Sequence, residues 1–284
     1  MLFRSDSEEI TAFTRALAAV ARGELASADG GSARTFSLRR LVDVVLHNSG
    51  RVRLAWSRVW ACASECLVEA TSHDDDAVVV AAADGLRAVA ARVLSTGHSL
   101  GSLSTNSIAA EALRPFAAAL RARRRERGHQ ERGHRERGRV AVAEALGAAL
   151  ASLSVDDQIS GSRGNVSGIF PALGVGGWRA ALEALDASVS VDTDDDSGAV
   201  AIAALRGVGP AVVACIQKVP ESPERAVLAV ARFAYPRVGT NGESQMGPES
   251  IDGETSGQAP SLPLAGPTSA EHAEARRLMG DLRL

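Results

Sequence analysis

The sequence predicts an all-α protein built as a HEAT/armadillo-like helical solenoid, an α-α superhelix of stacked helix pairs. Apolar residues recur at intervals of three and four in almost every segment, and no β-branched run is bounded by turns as a strand would be. The predicted helices are joined by short loops and pair into units of about 40 residues. With 284 residues, 45% hydrophobic and 4% aromatic, the chain can bury a core made mainly of Ala, Val and Leu.

The first three predicted helices lie in the N-terminal quarter of the chain. The first spans residues 8–22 and ends at Gly23, because glycine commonly stops a helix. The second begins at Ser37, a good N-cap, and ends at Asn48–Gly50. The third covers residues 52–69. The stripe that we expect the first helix to bury holds Ile10, Phe13, Leu17 and Val20.

Later helices are predicted from the same periodicity. Asp74–Asp76 precede a helix that runs through Leu94, where acids suit the positive end of the helix dipole. Pro115 cannot donate to the carbonyl four residues back, so a helix either begins near Pro115 or kinks there. Helix resumes at Val140. The remaining predicted helices are residues 140–153, 174–187, 199–219 and 225–235.

The helical repeat region is predicted to span residues 1–236, with two inserts. The first insert, at about 121–139, is basic and of low complexity, and its glycines disfavour a helix. The second, at about 157–172, is rich in Gly and Ser. Residues 237–268 hold Gly, Pro and Ser with few large apolar side chains, which predicts a disordered linker. Residues 269–284 are predicted to form a C-terminal amphipathic helix.

Charge and hydropathy exclude several classes of protein. The 31 Lys and Arg against 34 Asp and Glu give a net charge of -3, which argues against a nucleic-acid partner. Acidic residues within the first ten positions are incompatible with a signal peptide. No window reaches the ~18 to 20 apolar residues of a membrane span. We therefore expect a soluble intracellular protein.

The sequence carries no recognisable catalytic, cofactor-binding or metal-binding motif. Cys62 and Cys66 lie four apart on a helix, and with Cys215 we expect all three to be reduced and semi-buried. The histidines are scattered singly, which does not fit a zinc site. The glycines before Trp178 lack the preceding strand and the spacing of a phosphate loop. We expect no enzyme activity, no cofactor and no metal.

The segment Phe36–Trp60 resembles the region downstream of the Sec-seven catalytic domain in the large brefeldin-A-inhibited guanine nucleotide exchange factors for Arf GTPases. The residues that carry the resemblance are Phe36, Ser37, Leu38, Asn48, Arg51, Arg53, Leu54, Trp56, Ser57, Arg58 and Trp60. Further matches follow in the family's order at Asp84, Leu86, Arg87, Leu113, Arg114, Pro115, Phe116, Gly177 and Trp178. The resemblance covers most of residues 2–219.

The resemblance implies a non-catalytic regulatory or scaffold region of a large Arf exchange factor. In the family this region binds membrane-bound, activated Arf-family GTPase and acts in vesicle-mediated transport at trans-Golgi or endosomal membranes. Nothing in the chain resembles the exchange domain, so we expect the remainder of a longer exchange factor to be missing. The alternative is an unrelated HEAT or armadillo scaffold whose partner is another protein.

The aromatic residues are expected to be structural rather than functional. Trp56 and Trp60 lie four apart on one helical face, which suits burial against a neighbouring helix, whereas base stacking would need exposed rings beside a basic groove. The predicted structural core includes Phe36, Trp56, Trp60, Leu86, Phe116 and Trp178.

Two groups of arginines are the candidate contacts to a partner or to anionic lipid. The first is Arg51, Arg53 and Arg58, which could instead form salt bridges to Asp43 or Asp84. The second lies in the basic insert, which is either a solvated loop or an electrostatic tether to a membrane. The arginines chosen from the insert are Arg123, Arg124 and Arg125.

Overall fold

The computed structural model describes residues 2–27, 34–50, 53–97, 102–121, 129–159, 169–189 and 198–215. These residues contain helices and connecting turns and no strand, which confirms the all-α prediction. The helices are α1 (Leu2–Ala26), α2 (Phe36–His47), α3 (Arg53–Ala70), α4 (Asp76–Gly97), α5 (Ser102–Arg121), α6 (His129–Ile159), α7 (Ile169–Val189) and α8 (Gly198–Cys215).

The helices form two layers. Each odd-numbered helix packs against the next odd-numbered helix, and each even-numbered helix packs against the next even-numbered one. Helices that are consecutive in the chain also pack together, which joins the layers. This arrangement is that of a helical solenoid, in which each pair is stabilised mainly by its neighbours.

Helix α1 is rotated relative to the prediction. Phe13 and Val20 were expected to be buried but are 55% and 53% exposed, so that expectation was wrong. The buried stripe instead consists of the small side chains Thr11, Thr14, Ala18 and Ala21. Both threonine hydroxyls donate to the carbonyl four residues back at 2.7 Å, so their burial leaves no unsatisfied group. The small side chains allow close approach of α2 and α3.

Helix α2 begins one residue earlier than predicted. Thr35 occupies the N-cap position without a side-chain cap, so the prediction that Ser37 caps the helix was wrong. Ser37 is buried, and its backbone N–H donates to Glu24 Oε2 of α1 at 3.2 Å. A carboxylate from α1 thus supplies the acceptor that a capping side chain would otherwise provide.

Acidic residues mark the start of α4, as predicted. The backbone N–H of Ala77 donates to Asp75 Oδ1 at 2.8 Å, and Asp76 lies in the first turn. Helix α5 begins well before Pro115 and contains it, so Pro115 does not start the helix.

Helix α6 extends into the basic insert. The sequence predicted a loop up to residue 139, but the structure is helical from His129, so that part of the prediction was wrong. Tertiary contacts explain the difference, since Arg137 pairs with Asp76 of α4 at 2.6 Å and Gly138 lies against the carbonyl of Thr71. Further along, the backbones of α6 and α8 touch at Gly147 and Gly207, so a Cβ added to Gly147 would overlap Gly207 Cα.

Helix α7 contains a sharp kink. Gly174 has φ 56° and ψ -177°, a conformation that favours glycine. The kink separates Ile169–Leu173 from the segment that carries Trp178. The predicted Gly/Ser insert at 157–172 therefore ends inside α7 and begins inside α6, which runs to Ile159. The predicted helix at 225–235, the linker at 237–268 and the helix at 269–284 lie outside the described residues.

Candidate functional site

Within the segment that carries the family resemblance, Trp56 and Trp60 form a buried seam between α3 and α5. Trp56 and Trp60 are each 2% exposed, and their rings stack with centroids 6.1 Å apart and planes inclined by 20°. Their burial fits the interpretation of the pair as core. Leu86, Phe116 and Trp178 are buried as well.

A hydrogen bond connects Trp60 to a carbonyl that needs a donor. Trp60 Nε1 donates to the backbone oxygen of Glu111 at 2.8 Å. In a regular helix that oxygen would accept from the residue four positions later, which here is Pro115 and has no N–H. The indole therefore supplies the donor that the proline removes. Ser57 Oγ adds a second contact by donating to Glu111 Oε2 at 2.5 Å.

This contact links two motifs that are far apart in the chain. Trp60 belongs to the first motif of the resemblance, and Pro115 to the Leu-Arg-Pro-Phe motif. Sequence reasoning found both motifs but missed their contact. The available signal was the position of Glu111, four residues before the proline.

The other two tryptophans differ from Trp60. The Nε1 atoms of Trp56 and Trp178 are buried and have no hydrogen-bond partner among the described residues. A buried donor without a partner costs about 1–3 kcal/mol. The surrounding apolar packing must therefore offset this cost at both positions.

Phe36 was expected in the core, and that expectation was wrong. Its side chain is 64% exposed at the first residue of α2. The guanidinium carbon of Arg40 lies 5.2 Å from the ring centroid, one turn further along the helix. The exposed ring therefore contributes to the surface of α2.

The predicted contact arginines are only partly described. Arg58 is exposed on α3, beside the buried tryptophan seam. Arg53 is the first residue of α3, and its side chain lies outside the described part of the structure. Arg51, Arg123, Arg124 and Arg125 lie outside the described residues.

The two predicted salt-bridge acids have other partners on their own helices. Asp43 pairs with Arg40 at 2.8 Å, and Asp84 pairs with Arg87 at 3.2 Å. Both pairs are three residues apart and substantially exposed, so each contributes little to stability. Among the described residues, neither acid pairs with Arg58.

Arg139 is a buried structural arginine that the sequence reasoning did not single out. It is 9% exposed and reaches from α6 across to the odd-numbered layer. Its Nε donates to Leu120 O at 3.0 Å, and one Nη donates to Ala187 O and Ser188 O at 3.4 Å. These carbonyls lie at the C-terminal ends of α5 and α7, where the helix dipole favours a cation. The side chain thus joins two helix ends.

A small polar cluster joins α1 to α3. Arg22 Nε donates to Glu69 at 2.5 Å, and a guanidinium nitrogen lies 3.6 Å from Glu65. The hydrogen bond to Glu69 raises the pKa of Arg22. Burial raises the pKa of the neighbouring Cys66 thiol above its usual value. The cluster therefore holds a neutral thiol and has no nucleophile activated for chemistry.

Within the described residues, no group of three or more His, Cys, Asp or Glu side chains is arranged to hold a metal ion. None of the described helices combines the length and apolar character needed to cross a membrane. The arrangement offers packed helices, an exposed arginine and an exposed aromatic ring.

Comparison with known proteins finds similar sequences among guanine nucleotide-exchange proteins. Brefeldin A-inhibited guanine nucleotide-exchange protein 1 of Arabidopsis thaliana is 32% identical over 117 residues, 41% of this chain and 7% of that protein. The matched segment is therefore similar to a short part of a large guanine nucleotide-exchange protein. The Homo sapiens protein of the same name is 33% identical over 113 residues, covering 40% of this chain and 6% of the relative.

A yeast exchange factor matches a shorter part of the chain. The ADP-ribosylation factor guanine nucleotide-exchange factor SEC7 of Saccharomyces cerevisiae is 36% identical over 86 residues, 30% of this chain and 4% of that factor. The chain thus matches less than a tenth of the length of each of these large Arf exchange factors. No protein-family model and no solved structure matches it.

Proposed function

We propose that this chain is a non-catalytic helical region of a large Arf exchange factor that binds membrane-associated, activated Arf-type GTPase. The observation that carries the proposal is the 32% identity over 117 residues to a guanine nucleotide-exchange protein. Two motifs that carry the sequence resemblance meet in the structure, where Trp60 donates to the carbonyl that Pro115 leaves without a donor. We therefore infer that the buried motifs stabilise the packing of the helices. The GTPase would be bound by residues on the exposed surface of these helices.

Arg58 is the described side chain that we assign to this surface. It is exposed on α3, immediately beside residues whose burial fixes the position of the helix. An exposed guanidinium on a packed helix is suited to recognise a carboxylate on a folded partner. Arg51 and Arg53 are proposed to extend the same surface.

The basic insert is proposed as a contact to anionic lipid through Arg123, Arg124 and Arg125. Two arginines nearby have structural roles, because Arg137 pairs with Asp76 and Arg139 binds helix ends. The membrane contact is therefore assigned to the N-terminal part of the insert. It would localise the chain at the cytoplasmic face of Golgi or endosomal membranes.

Nucleotide-dependent capture tests the proposal. The immobilised chain should retain Arf-type GTPase loaded with a non-hydrolysable GTP analogue and release the GDP-loaded form. The Arg58→Ala variant should lower this retention, whereas Arg206→Ala, which removes an exposed arginine of α8, should not. Equal retention of both nucleotide forms would contradict the proposal and favour an unrelated protein-interaction scaffold.

A second assay tests the absence of catalysis. Release of a fluorescent GDP analogue from the GTPase should proceed at its spontaneous rate when this chain is added. Faster release would show that the chain is itself an exchange catalyst.

A further inference from the structure

Three exposed arginines, one from each of α3, α5 and α7, lie on the outer side of the odd-numbered layer. We call Arg58, Arg114 and Arg179 the arginine row. On each helix the next exposed position follows three or four residues later, which defines one exposed stripe per helix. The opposite side of each helix packs against the even-numbered layer. The three guanidinium groups therefore face solvent on the same side of the protein.

Arg58 and Arg114 lie at nearly the same level of α3 and α5. Ser57 Oγ and Trp60 Nε1 both donate to Glu111 of α5. Arg58 lies between these two donors in α3 and is therefore beside Glu111. Arg114 follows Glu111 by three residues, which is less than one helical turn. The two arginines are thus neighbours across the groove between the helices.

Arg179 of α7 lies at the same level. Gly177 packs against Ala109 of α5, and further along the Leu120 and Ala187 carbonyls accept from one guanidinium group. Both pairs advance in the same direction, so α5 and α7 are parallel. Arg179 is therefore beside the position two residues after Ala109. The row crosses the three helices with a step of roughly 8–10 Å, the distance between packed helix axes.

The acidic residues on the same face lie one to three turns beyond the row. They are Glu65, Glu69, Glu183 and Asp186. Arg22 of α1 contacts both acids of α3, and the Arg121 guanidinium reaches the backbone oxygen of Glu183 at 3.5 Å. These acids therefore have basic neighbours of their own. Arg58 and Arg114, in contrast, form no ion pair with any described residue.

The row is carried by helix segments that the core holds in place. Each of its arginines is within two residues of a buried aromatic side chain in the same helix. The spacing of the three backbone positions is therefore fixed before any partner arrives. A ligand whose charges repeat at the same spacing could bind without rearrangement of the helices.

We propose that the arginine row binds an acidic peptide segment in the polyproline II conformation, with a carboxylate at every third residue. Opposite charge makes an acidic ligand the fitting occupant. A polyproline II segment presents the same side after three residues, or roughly 9.3 Å, which matches the step of the row. A β-strand repeats its side after roughly 6.6 Å, which is too short. An α-helix needs seven residues and roughly 10.5 Å, which is longer than the step.

This inference goes beyond GTPase binding and shares only Arg58 with the proposed function. Fluorescence anisotropy with the full chain tests it. The probe is a fluorescein-labelled peptide of three Pro-Pro-Glu units, whose prolines favour polyproline II. The control peptide has the same composition with its glutamates adjacent. At an ionic strength of about 0.01 M, where charges are weakly screened, the spaced peptide should bind about threefold more tightly or better, as one further exposed ion pair predicts.

Substitutions in the row assign the binding to its arginines. Arg114→Gln and Arg179→Gln should each weaken binding of the spaced peptide by about threefold or more. Arg206→Gln, at an exposed position of α8 in the other layer, should leave binding unchanged. Far-ultraviolet circular dichroism should be the same for all three variants, because each substituted side chain is exposed.

Equal binding of the two peptides would overturn the proposal, because only total charge would then be recognised. So would absence of binding by the parent chain, or equal losses for Arg114→Gln and Arg206→Gln. Binding of the parent chain to phosphatidylserine vesicles but to neither peptide would assign the row to a membrane instead. No GTPase is present in these measurements. Failure of peptide binding therefore refutes the assignment of the arginine row alone, and failure of nucleotide-dependent capture refutes the proposed function alone.

Discussion

Replacing each tryptophan by phenylalanine, one at a time, measures what the Trp60 hydrogen bond contributes. All three indoles are 2% exposed, so the loss of buried ring area is similar at the three sites and largely cancels in a comparison. Trp60→Phe also leaves the Glu111 carbonyl without its indole donor, at a cost of about 1–3 kcal/mol. Trp56→Phe and Trp178→Phe instead remove a buried N–H that has no partner in the described structure. Trp60→Phe should therefore be the most destabilising, by about 2 kcal/mol or more.

The assay is denaturant unfolding followed by far-ultraviolet circular dichroism, which does not depend on the fluorescence of the substituted residue. Pro115→Ala supplies the decisive control, because alanine restores an N–H that can donate to Glu111 O. The cost of Trp60→Phe should then fall by about 1 kcal/mol or more in the Pro115→Ala background, as expected for residues that share a hydrogen-bond acceptor. Equal losses for the three tryptophans, or additive effects of Trp60→Phe and Pro115→Ala, would refute this reasoning.

Three further predictions concern packing, buried charge and pH. Gly147→Ala should destabilise the protein by about 1–3 kcal/mol, because its Cβ would overlap the backbone of α8. Arg139→Met should cost about 3 kcal/mol in unfolding free energy, because it leaves carbonyls at two helix ends without their donor. The raised pKa of Cys66 contributes stability that is fully present below about pH 9.0 and is lost as the pH rises through the folded-state pKa. Cys66→Ala should therefore flatten the decline in stability above that pH.

Each of these has a matched control in thermal or denaturant unfolding. A Cβ added at Gly23 would lie in open space, so Gly23→Ala should be neutral or stabilising. An equal loss of unfolding free energy for Gly23→Ala and Gly147→Ala would argue against overlap at Gly147. Arg58→Met, at an exposed position, should change stability by less than about 0.5 kcal/mol. If the unfolding free energy of Cys66→Ala and of the parent chain fall in parallel above pH 9.0, the thiol makes no such contribution.

Periodicity was sufficient to predict the helical class and the approximate helix positions. It could not orient α1, because that helix has two candidate stripes, one of large apolar side chains and one of small residues. Hydropathy favours the first, but the close approach of α2 and α3 selects the second, and local hydrogen bonds satisfy the buried threonines. Which face of α1 is buried therefore depends on its packing against α2 and α3, and the sequence of α1 alone does not determine it.

The start of α6 shows the same limit. Local composition argued against helix before residue 139, yet contacts of Arg137 and Arg139 with other helices outweigh the glycine penalty. The tryptophan seam was predicted because four-residue spacing places both rings on one face. The hydrogen bond from Trp60 to α5 could not be predicted from spacing alone. It depends on the Glu111 carbonyl, which Pro115 leaves without a backbone donor.

The buried position of Arg139 has a consequence for how the repetitive tract can vary in length. The basic insert contains an imperfect repeat of Arg-Glu-Arg-Gly-His, and such repeats gain or lose units during replication. Changes before residue 129 would alter only the length of the connection between α5 and α6. An insertion between Arg139 and the buried part of α6 would turn the guanidinium about 100° per added residue away from both helix ends. Natural variants should therefore differ in length before residue 129 and keep a fixed count of residues from His129 onward in α6.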